Sequence, residues 1–319
     1  MRTIHYYLLV NPTSGGGNGQ LVCDKVCSLL QKKERSFSVL KTKYAGHEQK
    51  ITAELTETVL TSWTEKENEC FPLLVVIGGD GTLHGVVNQL YRMNKKLPIG
   101  YLPAGSGNDF ARGNHLPLKT DQAFNHLIQT QKPRLINVIH YYEANREESG
   151  LILNNLGIGL DAAIVQRANE SIAKRNLQRV HLNSFSYMIA AVKVLFQQKG
   201  FPVLIEYNGK TIGYSKAFLC TTTKHPYFGG GVKIAPSADS KAADFDLVFV
   251  ERIPMIKILT LIFLLIRQKH TQSLDFHQVK TNQLRIVSTT PQYAQLDGEI
   301  FEKAPFDFTF TMATQAFWG

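Results

Sequence analysis

The chain has 319 residues, a net charge of +9 at pH 7 and 44% hydrophobic residues, a composition that excludes a disordered chain. The cationic excess fits an anionic membrane or an anionic substrate better than a nucleic acid, because no Arg/Lys-rich arm or zinc-finger spacing is present. The four cysteines complete no zinc site, and the chain opens on a strand-like run, Tyr6–Val10, instead of a secretory signal. These features predict a cytoplasmic protein with reduced thiols.

The first third of the sequence alternates between strand-like and helix-like segments. Strands are predicted at Tyr6–Val10, Ser38–Thr42, Leu73–Ile77 and Ile99–Leu102, and helices at Gly19–Lys33, His47–Thr61, after Ile77 and at Asp121–Thr130. This alternation is typical of a parallel sheet covered by helices. Since the pattern ends at Pro133, the sequence predicts an α/β domain over residues 1–132.

After Pro133, short apolar or alternating runs dominate and predict a β-rich, sandwich-like domain over residues 133–309. Two helical patches, Ser184–Gln197 and Pro254–Gln268, interrupt these runs. The longest apolar run, Ile258–Ile266, is shorter than the about 20 residues that a membrane span needs. A buried helix is therefore the favoured interpretation, and an interfacial helix that reaches lipid is the alternative.

Three glycine-containing loops follow predicted parallel strands. They are Asn11-Pro12-Thr13-Ser14-Gly15-Gly16-Gly17, Gly78-Gly79-Asp80-Gly81-Thr82 and Pro103-Ala104-Gly105-Ser106-Gly107-Asn108-Asp109. Ligands of open α/β sheets bind at the carboxyl ends of the strands, so we expect the loops to converge on one crevice that holds phosphate. Because the negative charge of Asp80 repels phosphate, the acid cannot bind phosphate directly. A role at this site requires either a metal ion between the carboxylate and the phosphate or a hydroxyl group that Asp80 deprotonates.

Two further motifs lie in the second half. Gly157-Ile158-Gly159-Leu160-Asp161-Ala162 looks like a dinucleotide fingerprint, but no acid stands about 20 residues further on, where a ribose would need it. Asp297-Gly298-Glu299 is typical of a hairpin turn. Asp297 and Glu299 would project to the same side of an extended chain, an arrangement that suits a general base.

Together these motifs resemble the diacylglycerol kinase catalytic family, which includes bacterial soluble lipid kinases and sphingosine kinases. The resemblance extends over nearly the whole chain and adds Thr42 with Gly46-His47, and Pro226-Tyr227-Phe228-Gly229-Gly230-Gly231, to the motifs above. It implies an N-terminal domain similar to phosphofructokinase and NAD kinase and a C-terminal β-sandwich that holds the lipid. It also implies that residues 310–319 return to the first domain and that ATP sits between the domains.

The resemblance also implies roles for individual residues. The nucleotide would be held by Asn11, Pro12, Thr13, Ser14, Gly15, Thr42, Gly79, Asp80, Gly81, Thr82 and Ser106. Asp80 would organise the Mg²⁺ that accompanies ATP. Glu299 or Asp297 would accept the proton of the lipid hydroxyl, while a mechanism like that of sphingosine kinases would give this task to Asp80.

The sequence departs from the family pattern at two places. Gly85 stands where the family usually has an acid, and Lys241-Ala242-Ala243 stands where bacterial members commonly have Asp-Asp-Gly, a segment that binds a structural Mg²⁺. Ala242 has no side chain that could bind a hard cation, so the structural metal is in doubt, although Asp239, Asp244 and Asp246 are near in sequence.

The sequence therefore predicts an ATP-dependent lipid kinase that acts on a hydroxyl of a membrane lipid, diacylglycerol above all, at the inner face of the membrane. An anionic membrane surface is the predicted peripheral partner, and the oligomeric state stays open, with a homodimer among the alternatives. Two other functions also stay open: an NAD kinase-like enzyme, and a nucleotide-binding regulatory protein that has lost catalysis.

Overall fold

The computed structural model describes residues 3–64, 70–175 and 194–319. The chain divides into two compact units. Unit 1 consists of residues 1–138, 227–231 and 313–319, and unit 2 consists of residues 139–226 and 232–312. Each unit has its own hydrophobic core.

Unit 1 is built on a parallel sheet. Its strands are β1 (Ile4–Val10), β2 (Phe37–Lys41), β3 (Phe71–Gly78) and β4 (Ile99–Pro103), and the end of β15 (Glu299–Trp318) joins them. The order across the sheet is β15-β4-β3-β1-β2. The last residues of the chain pair in parallel with β4, with Phe317 opposite Ile99.

Helices connect these parallel strands, as the alternating sequence predicts. They are α1 (Ser14–Lys32), α2 (His47–Thr58), α3 (Asp80–Arg92), α4 (Asp109–Gly113) and α5 (Thr120–Gln129). Their apolar faces and the sheet form the core, which includes buried side chains from β3 such as Val75 and from α1 such as Val26. Cys23 is part of the same core, and its burial raises the pKa of its thiol to about 12.

Unit 2 is β-rich and antiparallel. Its strands are β5 (Arg134–Glu143), β6 (Glu148–Ile152), β7 (Asn155–Gly159), β8 (Phe201–Tyr207), β9 (Lys210–Thr223), β10 (Tyr227–Phe228), β11 (Val232–Lys233), β12 (Phe245–Glu251), β13 (His277–Thr281), β14 (Gln283–Leu296) and β15. The start of β5, all of β10 and the end of β15 belong to unit 1. The central order is β13-β12-β9-β7-β14-β15, and β8 pairs with both β9 and β14. Alternate residues point into one apolar core, as in a β-sandwich.

Three helical segments accompany these strands: α6 (Leu160–Arg175), α7 (194–197) and α8 (Met255–Ile266). Most of the helix expected at Ser184–Gln197 lies outside the described residues. The apolar run Leu151–Leu156 is divided between β6 and β7. The glycines of Gly157-Ile158-Gly159 lie within β7 and not in a loop after it.

Candidate active site

The first glycine loop is fixed by the side chain of Asn11. Its Oδ1 accepts hydrogen bonds from the backbone N–H (3.2 Å) and the hydroxyl (3.0 Å) of Thr13. Its Nδ2 donates to Oγ1 of Thr82 (2.9 Å), which belongs to the second loop. Asn11 therefore joins two of the three loops that follow the parallel strands.

The start of α1 is wound in an unusual way. Gly15, Gly16 and Gly17 have φ angles of 59°, 69° and 103°, a region that L-residues other than glycine rarely occupy. At Gly15 no larger residue fits, since a Cβ atom would collide with the carbonyl oxygen of Ala104. The three glycines precede the regular turns of α1, so their backbone N–H groups lie at the N-terminal end of the helix. Helix N-termini are common sites for anions.

All three loops meet at Gly79. A Cβ atom at this position would lie 3.2 Å from Oγ of Ser14 in the first loop and 3.2 Å from Cα of Gly105 in the third. Gly79 caps α3 from an extended conformation, so the N-terminus of this 13-residue helix opens at the same place. The expected convergence of the loops is thus present within unit 1.

The other predicted nucleotide residues of unit 1 lie at the same edge of the sheet. The N–H of Thr42, directly after β2, donates to the carbonyl oxygen of Val10 (2.8 Å), the residue before Asn11. Pro12 is half-buried in the first loop, while Gly81 and Ser106 are exposed in the second and third. Whether these residues bind nucleotide stays a prediction.

Asp80 has a structural task in addition to any chemical one. Its two carboxylate oxygens accept the N–H groups of Asp109 (3.2 Å) and Phe110 (3.1 Å) at the start of α4. The carboxylate therefore caps α4 and connects the second loop to the third. Each carboxylate oxygen has about two acceptor positions, so an oxygen that accepts an N–H group can also contact a cation.

Asp109 is a candidate site residue that the sequence reasoning quoted within its loop without assigning it a role. It is buried, and its Oδ2 accepts the N–H of Gly230 (2.8 Å), a residue of the segment that joins unit 1. Its Oδ1 is buried without a hydrogen-bond partner among the described residues. Burial raises the pKa of Asp109, an effect that the N–H of Gly230 and the charge of Arg112 oppose.

Tyr101 is a buried residue close enough to Asp80 and Asp109 for their charges to affect its pKa. Its hydroxyl donates to the carbonyl oxygen of Gly78 (3.3 Å). Burial raises the pKa of Tyr101 well above its usual value, and the negative charges of Asp80 and Asp109 raise it further. An acidic region thus lies next to the glycine loops, and a polyphosphate bound there would need a cation between its oxygens and the two acids.

These residues fit a magnesium ion that arrives with phosphate. Across residues 3–64, 70–175 and 194–319, no group of three or more His, Cys, Asp or Glu side chains could hold a metal ion by itself. Mg²⁺ in kinase sites is usually bound by one or two carboxylates, substrate phosphates and water. The unpartnered Oδ1 of Asp109 and the neighbouring carboxylate of Asp80 match that requirement.

The turn that contains Asp297 and Glu299 differs from the extended arrangement expected from the sequence. Asp297 has a φ of 50° and Gly298 a φ of 94°, so the backbone between the two acids is not the extended chain that would place them on the same side. The Asp297 carboxylate is buried and accepts the N–H groups of Leu153 (2.9 Å), Asn154 (2.8 Å) and Asn155 (3.0 Å). Glu299, in contrast, is exposed.

A buried polar network continues from this turn to the start of α6. Gln295 donates to Asn155 and to Oδ2 of Asp161 (3.4 Å), and the hydroxyl of Thr221 donates to the same Asp161 oxygen (3.1 Å). Complete burial raises the pKa of Asp161 to about 7. The carboxylate occupies the space beside Gly157, where a Cβ atom would collide with it, which gives that glycine a packing role.

Glu48 fills the space left by Gly85. A Cβ atom at position 85 would lie 2.5 Å from Oε1 and 2.8 Å from Cγ of Glu48, a buried residue at the start of α2. The acid that the family pattern places on α3 is thus absent there, and a carboxylate from the neighbouring helix lies against the same position.

The segment Asp239–Asp244 does not fit a structural magnesium ion. Nζ of Lys224 donates to the carbonyl oxygens of Asp239 (2.7 Å), Ala242 (3.0 Å) and Asp244 (2.8 Å). Lys224 is only 2% exposed. Because its ammonium group uses all three donors on this loop, a cation is already supplied by the chain.

Comparison with known protein families agrees with these observations. A model described as the diacylglycerol kinase catalytic domain matches residues 5–140. A second, described as the YegS C-terminal NAD kinase beta sandwich-like domain, matches residues 154–315. The two domains define a lipid kinase. The chain belongs to the diacylglycerol kinase catalytic family, so the resemblance inferred from its motifs is confirmed.

Individual relatives cover nearly the full chain. The chain is 27% identical over 306 residues to the "Putative lipid kinase YtlR" of Bacillus subtilis (strain 168), covering 95% of each chain. It is also 27% identical over 307 residues to the "Diacylglycerol kinase" of Staphylococcus aureus (strain Newman), covering 94% of this chain and 88% of that one.

Solved structures share the fold at lower identity. "A putative diacylglycerol kinase from Bacillus anthracis str. Sterne" has a TM-score of 0.73 and 20% identity, covering 99% of this chain and 97% of that one. Yeast NADH kinase has a TM-score of 0.50 and 11% identity, covering 99% and 83%. These similarities confirm the predicted fold, an α/β domain and a β-sandwich domain similar in fold to those of NAD kinases.

Proposed function

We propose that this lipid kinase transfers the γ-phosphoryl group of ATP to a hydroxyl of a membrane lipid, with diacylglycerol as the first candidate and phosphatidic acid as its product. The observation that supports this proposal best is the meeting of three loops at Gly79, tied together by Asn11 and Thr82. Glycine backbones and a helix N-terminus there can bind phosphate oxygens. The relatives named as diacylglycerol kinases support the choice of lipid.

Mg²⁺ is the cation that this proposal requires. Asp80 and Asp109 would hold it together with phosphate oxygens, and the ion would neutralise the negative charge of the phosphates during transfer. The chain itself contributes the positions of these carboxylates: Asp80 is fixed by the N–H groups of α4, and Asp109 by the N–H of Gly230.

Glu299 is the proposed acceptor of the lipid hydroxyl proton. Asp297 already accepts three N–H groups and Asp80 accepts two, so each of these carboxylates would have to share its oxygens with the backbone. Glu299 is exposed at the start of β15. In this assignment Asp297 holds the turn and Glu299 accepts the proton.

The enzyme would reach its substrate as a peripheral protein at the inner face of the cytoplasmic membrane. In the part of the chain that the structure describes, none of the helices has both the length and the apolar character needed to cross a bilayer. With a net charge of +9, binding to anionic lipid should weaken as salt screens the charges.

Product formation in mixed micelles tests the proposal. The purified chain would be given γ-labelled ATP, Mg²⁺ and, in separate reactions, diacylglycerol, a sphingoid base, phosphatidylglycerol or NAD. We expect labelled phosphatidic acid. Labelled NADP would instead identify an NAD kinase, and ATP binding without product from any acceptor would support a regulatory protein.

A further inference from the structure

The helix α8 has an apolar surface on two sides. One side packs into its own unit, where Ile258 and Leu261 are buried and Ile258 forms a small core with Phe218 and Leu195. The other side is exposed. It consists of four large side chains that are between 44% and 76% exposed: Ile256, Leu259, Phe263 and Ile266.

The spacing of these four residues places them on one face. They follow each other at intervals of three, four and three residues, which is the repeat of a single helical stripe. A helix at the surface of a globular protein normally turns polar residues outward. A contiguous apolar stripe in this place is typical of an interaction surface.

The charges around the stripe indicate what covers it. The segment from Pro254 to Lys269 contains no acid and has three cations, Lys257, Arg267 and Lys269. The guanidinium of Arg267 lies 4.6 Å from the centre of the Phe263 ring, so a cation is held directly beside the stripe. Lys257 is paired with Asp275 (3.3 Å), which leaves the cationic excess at the C-terminal end of the helix.

We propose that α8 lies flat on an anionic bilayer, with Ile256, Leu259, Phe263 and Ile266 inserted at the boundary between headgroups and acyl chains. Arg267 and Lys269 would contact lipid phosphates. A helix of 12 residues is about 18 Å long, which suits this parallel orientation. This stripe would be the membrane-docking surface of the proposed lipid kinase. It rests on the proposed function only because a lipid substrate explains why the protein binds a membrane.

Vesicle binding tests the docking surface directly. The full chain would be sedimented with vesicles of phosphatidylcholine containing 30 mol% phosphatidylglycerol. Phe263→Ser combined with Ile266→Ser should weaken binding by about tenfold or more, since two side chains lose their apolar contact with lipid. The matched control is Leu21→Ser, which changes an exposed leucine on α1 and should bind as the wild type does.

The two cations at the end of α8 are tested separately. Arg267→Gln combined with Lys269→Gln should weaken vesicle binding by about fivefold per charge and make the binding less sensitive to salt.

Activity in two formats separates this inference from the proposed function. The double serine variant should keep the wild-type rate on short-chain diacylglycerol in detergent micelles and lose rate on diacylglycerol in vesicles. Wild-type vesicle binding by the double serine variant would overturn the docking surface. So would a dimer in the wild type that the variant dissolves while vesicle binding stays intact, because the stripe would then be covered by a second copy. If no kinase activity exists but the variant still loses vesicle binding, the proposed function fails and the docking surface stands.

A second, independent inference concerns the buried Lys224. Its ammonium group contacts three carbonyl oxygens of the segment Asp239–Asp244, and the neighbouring Asp246 is also buried. We infer that this lysine is a built-in substitute for a structural metal ion, so that the segment folds without one. Burial lowers the pKa of Lys224, but the charges of Asp244, Asp239 and Asp246 oppose that effect.

Thermal unfolding without nucleotide tests this substitution. The melting temperature of the wild type should be the same in EDTA and in 10 mM Mg²⁺. Lys224→Ser combined with Ala242→Asp should be less stable in EDTA and should regain stability as Mg²⁺ is added. The control is Lys280→Ser, which removes an exposed cation near the same acids and should create no Mg²⁺ dependence. Should the double variant not fold, crystals of the wild type grown in Mn²⁺ decide: an anomalous peak within the segment would overturn the inference, and its absence is expected.

Discussion

Gly85 on α3 and Ala242 between Asp239 and Asp244 are the two places where this chain departs from the pattern of its family, and the structure fills them in different ways. At Gly85 a carboxylate from α2, that of Glu48, lies against the vacated position. At Ala242 the ammonium of Lys224 contacts the loop instead of a metal ion. The first departure exchanges an acid for an acid, and the second exchanges one kind of cation for another.

A lost motif residue is therefore not evidence of a lost function. Each departure, read alone along the sequence, leaves open a protein that has given up catalysis. In three dimensions each has a partner that is distant in sequence and restores a similar charge. The acids Asp80 and Glu299, which the proposed chemistry needs, are both present, so the departures do not by themselves favour the regulatory alternative.

The largest expected effect would show whether catalysis really survives these departures. Glu299→Gln should lower lipid phosphorylation by about 10²–10⁴-fold, the usual contribution of a positioned proton acceptor. ATP binding and the melting temperature should not change, because Glu299 is exposed. The control is Glu302→Gln, an exposed glutamate on the same strand. If Glu299→Gln also keeps the wild-type rate, Glu299 is not the proton acceptor, and Asp297 and Asp80 become the candidate bases.

Asp80→Asn should reduce turnover by about a hundredfold, which is typical of losing one electrostatic group at a transferring centre. An asparagine offers one acceptor oxygen where the carboxylate offers two, so a loss of about 1 kcal/mol in stability is expected from the weakened cap of α4. Turnover and urea unfolding would be measured together, with the exposed Asp121→Asn as control. A folded Asp80→Asn protein with near-normal turnover would contradict the assignment of Asp80 to the metal and phosphates.

The fold was largely predictable because its signals are local. The strands and helices of unit 1 alternate with clear apolar periodicity, and the glycine loops follow the strands directly, so their meeting at one edge follows from the parallel sheet. The roles of Asp297, Glu48 and Lys224 were not predictable. Asp297 binds N–H groups about 140 residues away in the sequence, and a lysine beside carbonyl groups leaves no pattern along the chain.

The site was predictable only in part for a related reason. An Asp-Gly pair in sequence indicates a turn, and both Asp80 and Asp297 stand before glycine. Only the structure shows that Asp80 caps a helix, while the Asp297 carboxylate accepts three N–H groups from the segment between β6 and β7. Asp109 could have been noticed as the acid that ends the third glycine loop, but its unpartnered oxygen depends on burial, which the sequence does not reveal.

Asp161 differs from Glu48 and Lys224, because this buried acid lies where no family acid or metal is missing. The folded protein keeps its proton up to a pH of about 7, while an unfolded aspartate releases it near a pH of about 4. The folded state therefore binds more protons between these values, and the free energy of unfolding falls as pH rises through them, by at most about 1.4 kcal/mol per pH unit.

Asp161→Asn should remove this dependence. Urea unfolding between pH 5 and 8 would be compared for the variant, the wild type and the exposed Asp121→Asn. The stability of Asp161→Asn relative to the wild type should rise with pH and level off above pH about 7, because asparagine carries no charge to bury. Parallel curves for all three proteins would show that Asp161 is ionised in the fold.

The exchange of acids at Gly85 can be reversed, and this last test bears on the comparison itself. Gly85→Glu alone should destabilise the chain by about 1–3 kcal/mol, the usual cost of overpacking, because its Cβ would lie 2.5 Å from Oε1 of Glu48. Glu48→Ala alone leaves a cavity and no acid there. The double variant moves the carboxylate from α2 to α3 and should recover most of the stability lost by Gly85→Glu. Urea unfolding of the four proteins gives the coupling between the two positions. If the changes in unfolding free energy of the two single variants simply add in the double variant, the two positions are not coupled. Glu48 would then not replace the acid that is missing at Gly85.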